Sequence, residues 1–260
     1  MNFKDKVVII TGSSSGIGAG TAEYLSKLGA SLVLVGRNVE NLNVIKEKCT
    51  KLAAQGTPAP LALQADVTIE SDAKRIIDET IKHFNKLDVL VNNAGIIGVG
   101  SIEQTSMDQY DTIMNTNMRS IYHLTMLAVP HLIKTEGCIV NVSSVNGIRA
   151  FSGVLAYCVS KAALDQFTRC VALELAPKKV RVNAVNPGVI VTDIHKRGGM
   201  DEQAYQAFLE RCKQTHALGR PGTVCEVASA ITFLASNETA GFITGASLPI
   251  DGGRHAMCPR

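Results

Sequence analysis

Short runs of β-branched and apolar residues recur along the chain, each separated from the next by a stretch of helical period. Lys6 to Thr11 (KVVIIT), Ser31 to Val35 (SLVLV), Leu61 to Gln64, Val89 to Val91, Cys138 to Ser143 (CIVNVS), Arg181 to Val185 and Ser247 to Ile250 read as strands. Several are apolar throughout rather than alternating, as strands covered on both faces must be. Helical patterns run from the Gly12 to Gly18 turn to Leu28, over Asn38 to Ala53, through the Ser71 to His83 region and over Asp108 to Thr135. A further helix carries Tyr157, continues through Phe167, Val171 and Leu175, and stops at Pro177; another spans Val224 to Leu234. Gln55 to Pro60 is a loop. Repeated β–α units without a linker predict one doubly wound parallel sheet in a three-layer α/β/α domain over residues 1–260. Pro249 cannot donate to a β ladder, so the last strand is expected at an edge.

The segment from Asp193 to Leu218 breaks the regularity. Gly198-Gly199 offers a hinge, and Ala204, Tyr205, Phe208, Leu209 and Cys212 form an apolar stripe. Ordinary packing onto the body and a substrate lid at about 193–218 are both open readings of that stripe.

Composition changes this picture little. Hydrophobic residues make up 46% and charged residues 19% of the chain, which argues against disorder. The net charge of +3 is spread out, so nothing points to nucleic acid. Seven scattered cysteines, at 49, 138, 158, 170, 212, 225 and 258, lack the spacing of a zinc site and read as reduced thiols; no metal site is expected. Met1 to Lys6 has no apolar signal core and no run has the length of a membrane span, so a cytoplasmic protein without membrane partners is expected.

Candidate chemistry lies at the strand ends. Gly12-Ser13-Ser14-Ser15-Gly16-Ile17-Gly18 joins a strand to a helix, where free N–H groups and the helix dipole meet a pyrophosphate. Its G-x-x-x-G-x-G spacing departs from the general G-x-G-x-x-G dinucleotide fingerprint. Where NAD enzymes place an acidic ribose ligand, this chain has Gly36 followed by Arg37. A guanidinium there suits the 2′-phosphate of NADP(H), with Ser13 as a further hydroxyl contact. Asp66 reads equally as an adenine acceptor or as a helix N-cap. Asn92-Asn93-Ala94-Gly95, Ser143-Ser144 and Asn186-Pro187-Gly188 close later strands, with Thr192 following the last. Tyr157 and Lys161 share one helix face. An ammonium held beside a phenol favours the phenolate and so makes a tunable proton donor.

Taken together, Thr11-Gly12-x-x-x-Gly16-Ile17-Gly18, Asn92-Asn93-Ala94-Gly95, Asn117, Ser144, Tyr157-x-x-x-Lys161, Pro187-Gly188, Ile243-Thr244-Gly245 and Asp251-Gly252-Gly253 resemble the short-chain dehydrogenase/reductase family over essentially the whole chain. The resemblance implies a Rossmann-type fold. It makes Tyr157 the acid/base, Lys161 its modulator and ribose ligand, Ser144 the holder of the substrate oxygen and Asn117 a backbone-water organiser. Ser144 is preferred to Ser143 by its spacing from Tyr157. The same resemblance puts Gly12, Ser13, Ser14, Ser15, Gly16, Ile17, Gly18, Arg37, Asn38, Asp66, Val67, Asn92, Ala94, Gly95, Pro187, Gly188, Ile190 and Thr192 at the cofactor.

The implied function is an NADP(H)-dependent oxidoreductase acting on a small carbonyl or secondary alcohol, foremost a ketone, aldehyde or 3-oxoacyl reductase. Ile148, Phe151, Val154, Met200 and Phe208 keep a steroid, retinoid or terpenoid alcohol dehydrogenase in view. An NADP(H)-sensing regulator on the same fold is the non-enzyme alternative. The resemblance also implies a homotetramer, or a dimer, packed through the helices carrying Asn117 and Tyr157.

Overall fold

Seven strands, β1 (Val7–Thr11), β2 (Ser31–Gly36), β3 (Leu61–Gln64), β4 (Val89–Asn92), β5 (Cys138–Val142), β6 (Arg181–Pro187) and β7 (Ser247–Ile250), form one sheet in the order β3-β2-β1-β4-β5-β6-β7. Every pairing is parallel. The structure is a computed structural model and describes residues 1–257, so Cys258 lies outside the described residues. The strand order reverses direction between β1 and β4, and doubly wound sheets bind ligands beyond the strand C-termini at that point.

Successive residues of a strand point to opposite faces, and the apolar run of β1 feeds a core on each. Val8 and Ile10 pack with Ala22 and Leu25 of α1 (Gly16–Lys27) and with Val227 and Ile231 of α10 (Val224–Ala235). Val7 and Ile9 pack with Ile76 of α3 (Glu70–Phe84), Leu124 of α5 (Ser120–Thr135) and Ala172 of α7 (Leu155–Leu175). Burying each such aliphatic side chain contributes about 1.5–3 kcal/mol, which is why the runs lack polar interruptions. The helix α2 (Val39–Leu52) covers the β2 flank, its N-terminus capped by Asn38 Oδ1, which accepts from Asn41 N at 2.8 Å. Strand β7 is the sheet edge, with Pro249 opposite Asn186, so the missing N–H costs no ladder bond on a second side.

Three stretches differ from the sequence expectation. The helix expected over Asp108–Thr135 divides into α4 (Met107–Met114), a π-helical turn at Asn115–Arg119 and α5. Periodicity cannot register one widened turn. Strand β6 runs on through Pro187, whereas β5 stops at Val142 and leaves Ser143 beyond the strand. The supposedly irregular 193–218 segment holds α8 (Ile194–Arg197) and the 14-residue α9 (Glu202–Thr215), the latter capped by Asp201 Oδ1 accepting from Ala204 N at 2.8 Å. No helix of the described residues is long and apolar enough to cross a membrane.

Candidate active site

A cleft of about 1420 Å³ opens at the C-terminal ends of the strands, bordered at one end by the glycine-rich turn and at the other by Tyr157 and α9. The turn needs its glycines for two separate reasons. Gly12 sits at φ +65, and a Cβ on it would lie 2.9 Å from Ala94 Cα. A Cβ on Gly18 would lie 2.5 Å from both Gly12 O and Asn93 Nδ2, so α1 approaches the turn only because position 18 is bare. Ser15 is the N-cap of α1 but makes no side-chain cap bond, and the first turn has no acidic residue. The amide end of the helix dipole therefore faces the cleft uncompensated, which fits a pyrophosphate.

The expected cofactor residues do not all line the cleft. Gly12, Ser14, Ser15, Gly16 and Ile17 do, as do Arg37, Asn38, Asp66, Val67, Ala94, Gly95, Pro187, Gly188, Ile190 and Thr192. Ser13 does not. It is fully buried, and its hydroxyl donates to Val35 O at 3.2 Å, so it ties the turn to β2 instead of offering a phosphate contact. Gly18 lies behind the turn, and Asn92 is buried with Nδ2 donating to Thr125 Oγ1 at 3.2 Å and Asn141 Oδ1 at 2.9 Å. Its neighbour Asn93 holds the place at the cleft, with Nδ2 donating to Thr11 O at 2.8 Å and Gly12 O at 3.2 Å. Strand alternation carries that signal: where Asn92 points inward, the next residue points the other way.

At the adenosine end, Arg37 is 74% exposed and its Nη1 lies 3.5 Å from Asp66 Oδ2. Asp66 is not a helix N-cap. Its Oδ1 accepts from Thr68 N at 3.0 Å and Thr68 Oγ1 at 2.7 Å, and α3 begins after Ile69. Burial pushes the Asp66 carboxyl up, but the Thr68 bonds and the Arg37 guanidinium outweigh it and hold it below the usual carboxylate range. A Cβ on Gly36 would lie 3.2 Å from Ser14 Oγ, so the acidic residue usual in NAD enzymes would crowd the turn here.

At the other end the expected catalytic side chains assemble from three elements. Ser144, at the N-terminus of the short α6 (Val145–Ile148), accepts from Asn146 N at 3.1 Å and donates to Asn146 Oδ1 at 3.2 Å. Tyr157 and Lys161 come from the first turns of α7, both largely buried. Burial pushes the Tyr157 phenol up to about 12, while the nearby Ser144 hydroxyl pulls the other way. The expected phenolate-favouring ammonium does not prevail in this arrangement. Lys161 Nζ donates to Val142 O at 2.9 Å and lies 5.7 Å from the Tyr157 ring centroid, too withdrawn to offset desolvation. Burial brings Lys161 itself down to about 8, opposed by the carboxylate of Asp165 one turn further along α7.

Asn117 is fully buried in the π turn. Its Oδ1 accepts from Ile96 N at 2.9 Å, and its Nδ2 donates to Ile96 O at 2.9 Å and Ser160 Oγ at 3.1 Å. The side chain thus clamps the loop after β4 against α7. The widened turn gives it the reach. A Cβ on Gly95 would lie 3.3 Å from Asn117 Oδ1 and 3.6 Å from Lys161 Nζ, so this loop, Asn117 and Lys161 meet at one point of the cleft.

Several contributing residues escaped the sequence reading. Asp165 Oδ2 accepts from Asn186 Nδ2 at 2.9 Å; it continues the Tyr157–Lys161 face by one more helical step, the one signal that marked it. His216 Nε2 accepts from Val189 N at 3.2 Å and so holds the turn after β6, a contact between distant elements with no local signature. Arg197 Nη1 donates to Ser15 Oγ at 2.8 Å, joining α8 to the glycine-rich turn. In the apolar stripe, Tyr205 and Cys212 are buried, and Tyr205 Oη donates to Thr192 O at 3.0 Å. Phe208 lines the cleft, while Ala204 is exposed. Phe151, Val154 and Met200 also line it, whereas Ile148 is 42% exposed and does not. Cys158 is a half-buried thiol, with Sγ accepting from Asn146 Nδ2 at 3.4 Å.

This fold and site define a dinucleotide-binding sheet with a serine–tyrosine–lysine centre. The family model described as enoyl-(acyl carrier protein) reductase matches residues 12–255. A meso-2,3-butanediol dehydrogenase of Serratia marcescens is 35% identical over 98% of this chain and 97% of its own. A 3-oxoacyl-(acyl-carrier-protein) reductase of Thermotoga maritima is 36% identical over 97% of this chain and 99% of its own. A crystal structure of a short-chain dehydrogenase/reductase of unknown function from Caenorhabditis elegans, with cofactor, superposes with a TM-score of 0.93 at 37% identity, covering 98% of this chain and 97% of that one. The chain belongs to the short-chain dehydrogenase/reductase family.

Proposed function

We propose that the protein is an NADP(H)-dependent oxidoreductase that interconverts a carbonyl and a secondary alcohol, acting foremost on a ketone, aldehyde or 3-oxoacyl group. The observation that carries this reading is that Ser144, Tyr157 and Lys161 line one cleft together with an uncapped glycine-rich helix start. Bound nicotinamide cofactor supplies or accepts the hydride. The chain's residues do the rest. The turn and the α1 amides hold the pyrophosphate, Arg37 meets the 2′-phosphate, and Thr192 and Ile190 lie where the nicotinamide is expected. Ser144 donates a hydrogen bond that holds and polarises the substrate oxygen. Tyr157, with its phenol pushed up to about 12, keeps its proton through the physiological range and delivers it to that oxygen. Asn117 fixes the loop against which the cofactor ribose and Lys161 settle. The α8–α9 segment serves as a lid over the substrate end, and Arg197, donating to Ser15 Oγ at 2.8 Å, ties that segment to the glycine-rich turn.

Tyr157→Phe tests the assignment: carbonyl-dependent NADPH oxidation, followed by nicotinamide absorbance, is expected to vanish while NADPH binding persists. Substantial turnover by that variant would sink the reading.

The assembly we propose is a homotetramer. Tyr122 and Met126 on α5 and Val159 and Leu173 on α7 are exposed apolar side chains on the helices expected to pack, and Phe242 is fully exposed as well. Sedimentation as a monomer at micromolar concentration would refute it.

A further inference from the structure

Beyond the oxygen-holding pair, the substrate end of the cleft carries a positive charge that the chemistry above does not use. Arg254 lines the cleft, its guanidinium carbon over the Phe151 ring at 4.5 Å from the centroid, so the cation has an aromatic neighbour. Arg211 of α9 lines the same end. The acidic residue that acts on Arg254 is Asp251, and both its oxygens are committed elsewhere. Oδ1 accepts from Gly253 N at 3.0 Å, and Oδ2 accepts from His255 N at 2.7 Å and pairs with His255 Nδ1 at 2.9 Å. Asp251 therefore shapes the turn that presents Arg254 without neutralising it. Among the described residues, neither Arg254 nor Arg211 forms an ion pair with a carboxylate. The neighbouring imidazoles stay neutral: burial lowers both His195 and His216, and the Arg254 charge lowers them further. A partly buried guanidinium over a ring, with a second one near it and no carboxylate paired to it among the described residues, is a receptor for a planar anion.

We propose that the site takes a substrate bearing a carboxylate in addition to the reacting carbonyl or alcohol, with Arg254, backed by Arg211, binding the carboxylate. Arg254 is thus a specificity-determining residue, and the substrate class narrows to oxo acids and hydroxy acids. This rests on reading the cleft as a carbonyl–alcohol site. Phe151 supplies the flat support and Phe208 the apolar side wall, so the carbon chain between the two functional groups has apolar cover.

The test uses 3-oxobutanoate, 4-oxopentanoate and 5-oxohexanoate, each against its methyl ester, with NADPH and the wild-type, Arg254→Gln and Arg254→Lys proteins. Equilibrium binding of the same acids to the NADP(H)-saturated proteins is measured by calorimetry, which needs no turnover. The wild type is expected to prefer at least one acid to its ester by about tenfold or more in kcat/KM. Arg254→Gln is expected to lose that preference through the acid's KM with ester turnover kept, and Arg254→Lys to retain part of it. Esters turned over as well as acids by the wild type, or acid and ester affected alike by Arg254→Gln, would overturn the proposal. Turnover of no carbonyl at all would instead strike the functional reading; acid binding that weakens in Arg254→Gln would then still support the anion site, and equal binding would overturn it too.

Discussion

Arg37→Gln separates the two nicotinamide cofactors, and the structure sets its size. The substitution keeps most of the side-chain stem and removes only the charge and the fork of donors. A hydrogen bond to a charged phosphate contributes about 1.5–3 kcal/mol. Arg37 is 74% exposed and already lies 3.5 Å from Asp66 Oδ2, a surface pair contributing about 0–1 kcal/mol that competes with the phosphate. The net loss is about 1–2 kcal/mol, or about a 5- to 30-fold rise in KM for NADPH. Asp66, left without its guanidinium, repels the 2′-phosphate and pushes the loss towards the upper figure. NADH has no 2′-phosphate, so its KM is expected to stay put.

Initial rates at fixed carbonyl concentration, with each cofactor varied in turn, read both constants. Titration of NADPH fluorescence gives the binding constant independently of turnover. The NADPH effect must also shrink as ionic strength rises, because an exposed pair is screened within about 8–10 Å at physiological salt. A parallel rise for both cofactors would show that Arg37 acts through the shape of the loop. No rise with either would remove Arg37 from cofactor recognition and end the case for NADPH.

Two further perturbations probe Asp165 and His216. Asp165→Asn removes the carboxylate that raises Lys161, so Lys161 falls below about 8 and less of it is protonated at neutral pH; activity at pH 7 to 8 should drop and recover on acidification, whereas an unshifted pH profile with uniformly scaled rates would reduce Asp165 to a packing role. His216 is lowered by burial and accepts from Val189 N. Below its unfolded value of about 6.5 the unfolded chain takes the proton first, so stability falls as pH drops. His216→Gln should show a smaller loss of melting temperature between pH 7 and 5.5, and an unchanged loss would place the acid sensitivity elsewhere.

The sheet was legible because its residues obey one rule at a time. The β1 run Val7–Ile10 is apolar on both faces since both faces are covered, and Pro249 announced the edge because a missing donor has one meaning in a ladder. Tyr157 and Lys161 were legible because helical spacing is local. What stayed hidden depends on which way a side chain turns at a strand end, or on contacts between distant segments. Asn92 and Asn93 are alike in sequence, yet one is locked to Asn141 under the cleft and the other braces Gly12. Ser13 sits among serines that face the cleft, but its hydroxyl goes to Val35. Arg254 and Phe151 are far apart in the chain, and only the folded turn at Asp251 brings them together. The π turn at Asn117 is hidden for a different reason, since one widened turn leaves the apolar stripe on either side unbroken.

The charge state of the centre follows from its burial. On α7, Tyr157, Lys161 and Asp165 stand one helical step apart, and desolvation pushes each towards its neutral form: the phenol up to about 12, the ammonium down to about 8, the carboxyl above its usual range. None is locked there, because each is opposed by a neighbour on the other side of the balance, Ser144 for Tyr157, Asp165 for Lys161, and Ser143 with Asn186 for Asp165. In such a low-dielectric line a charge brought into the cleft acts several-fold more strongly than it would in water. With a nicotinamide bound in the cleft, Tyr157 would be lowered and readied to accept a proton by a positive ring, and would stay a donor beside a neutral one. On the proposed function, the same residues would serve both directions of the reaction, with the charge of the bound cofactor, rather than a fixed lysine–phenolate pair, setting whether Tyr157 gives or takes the proton.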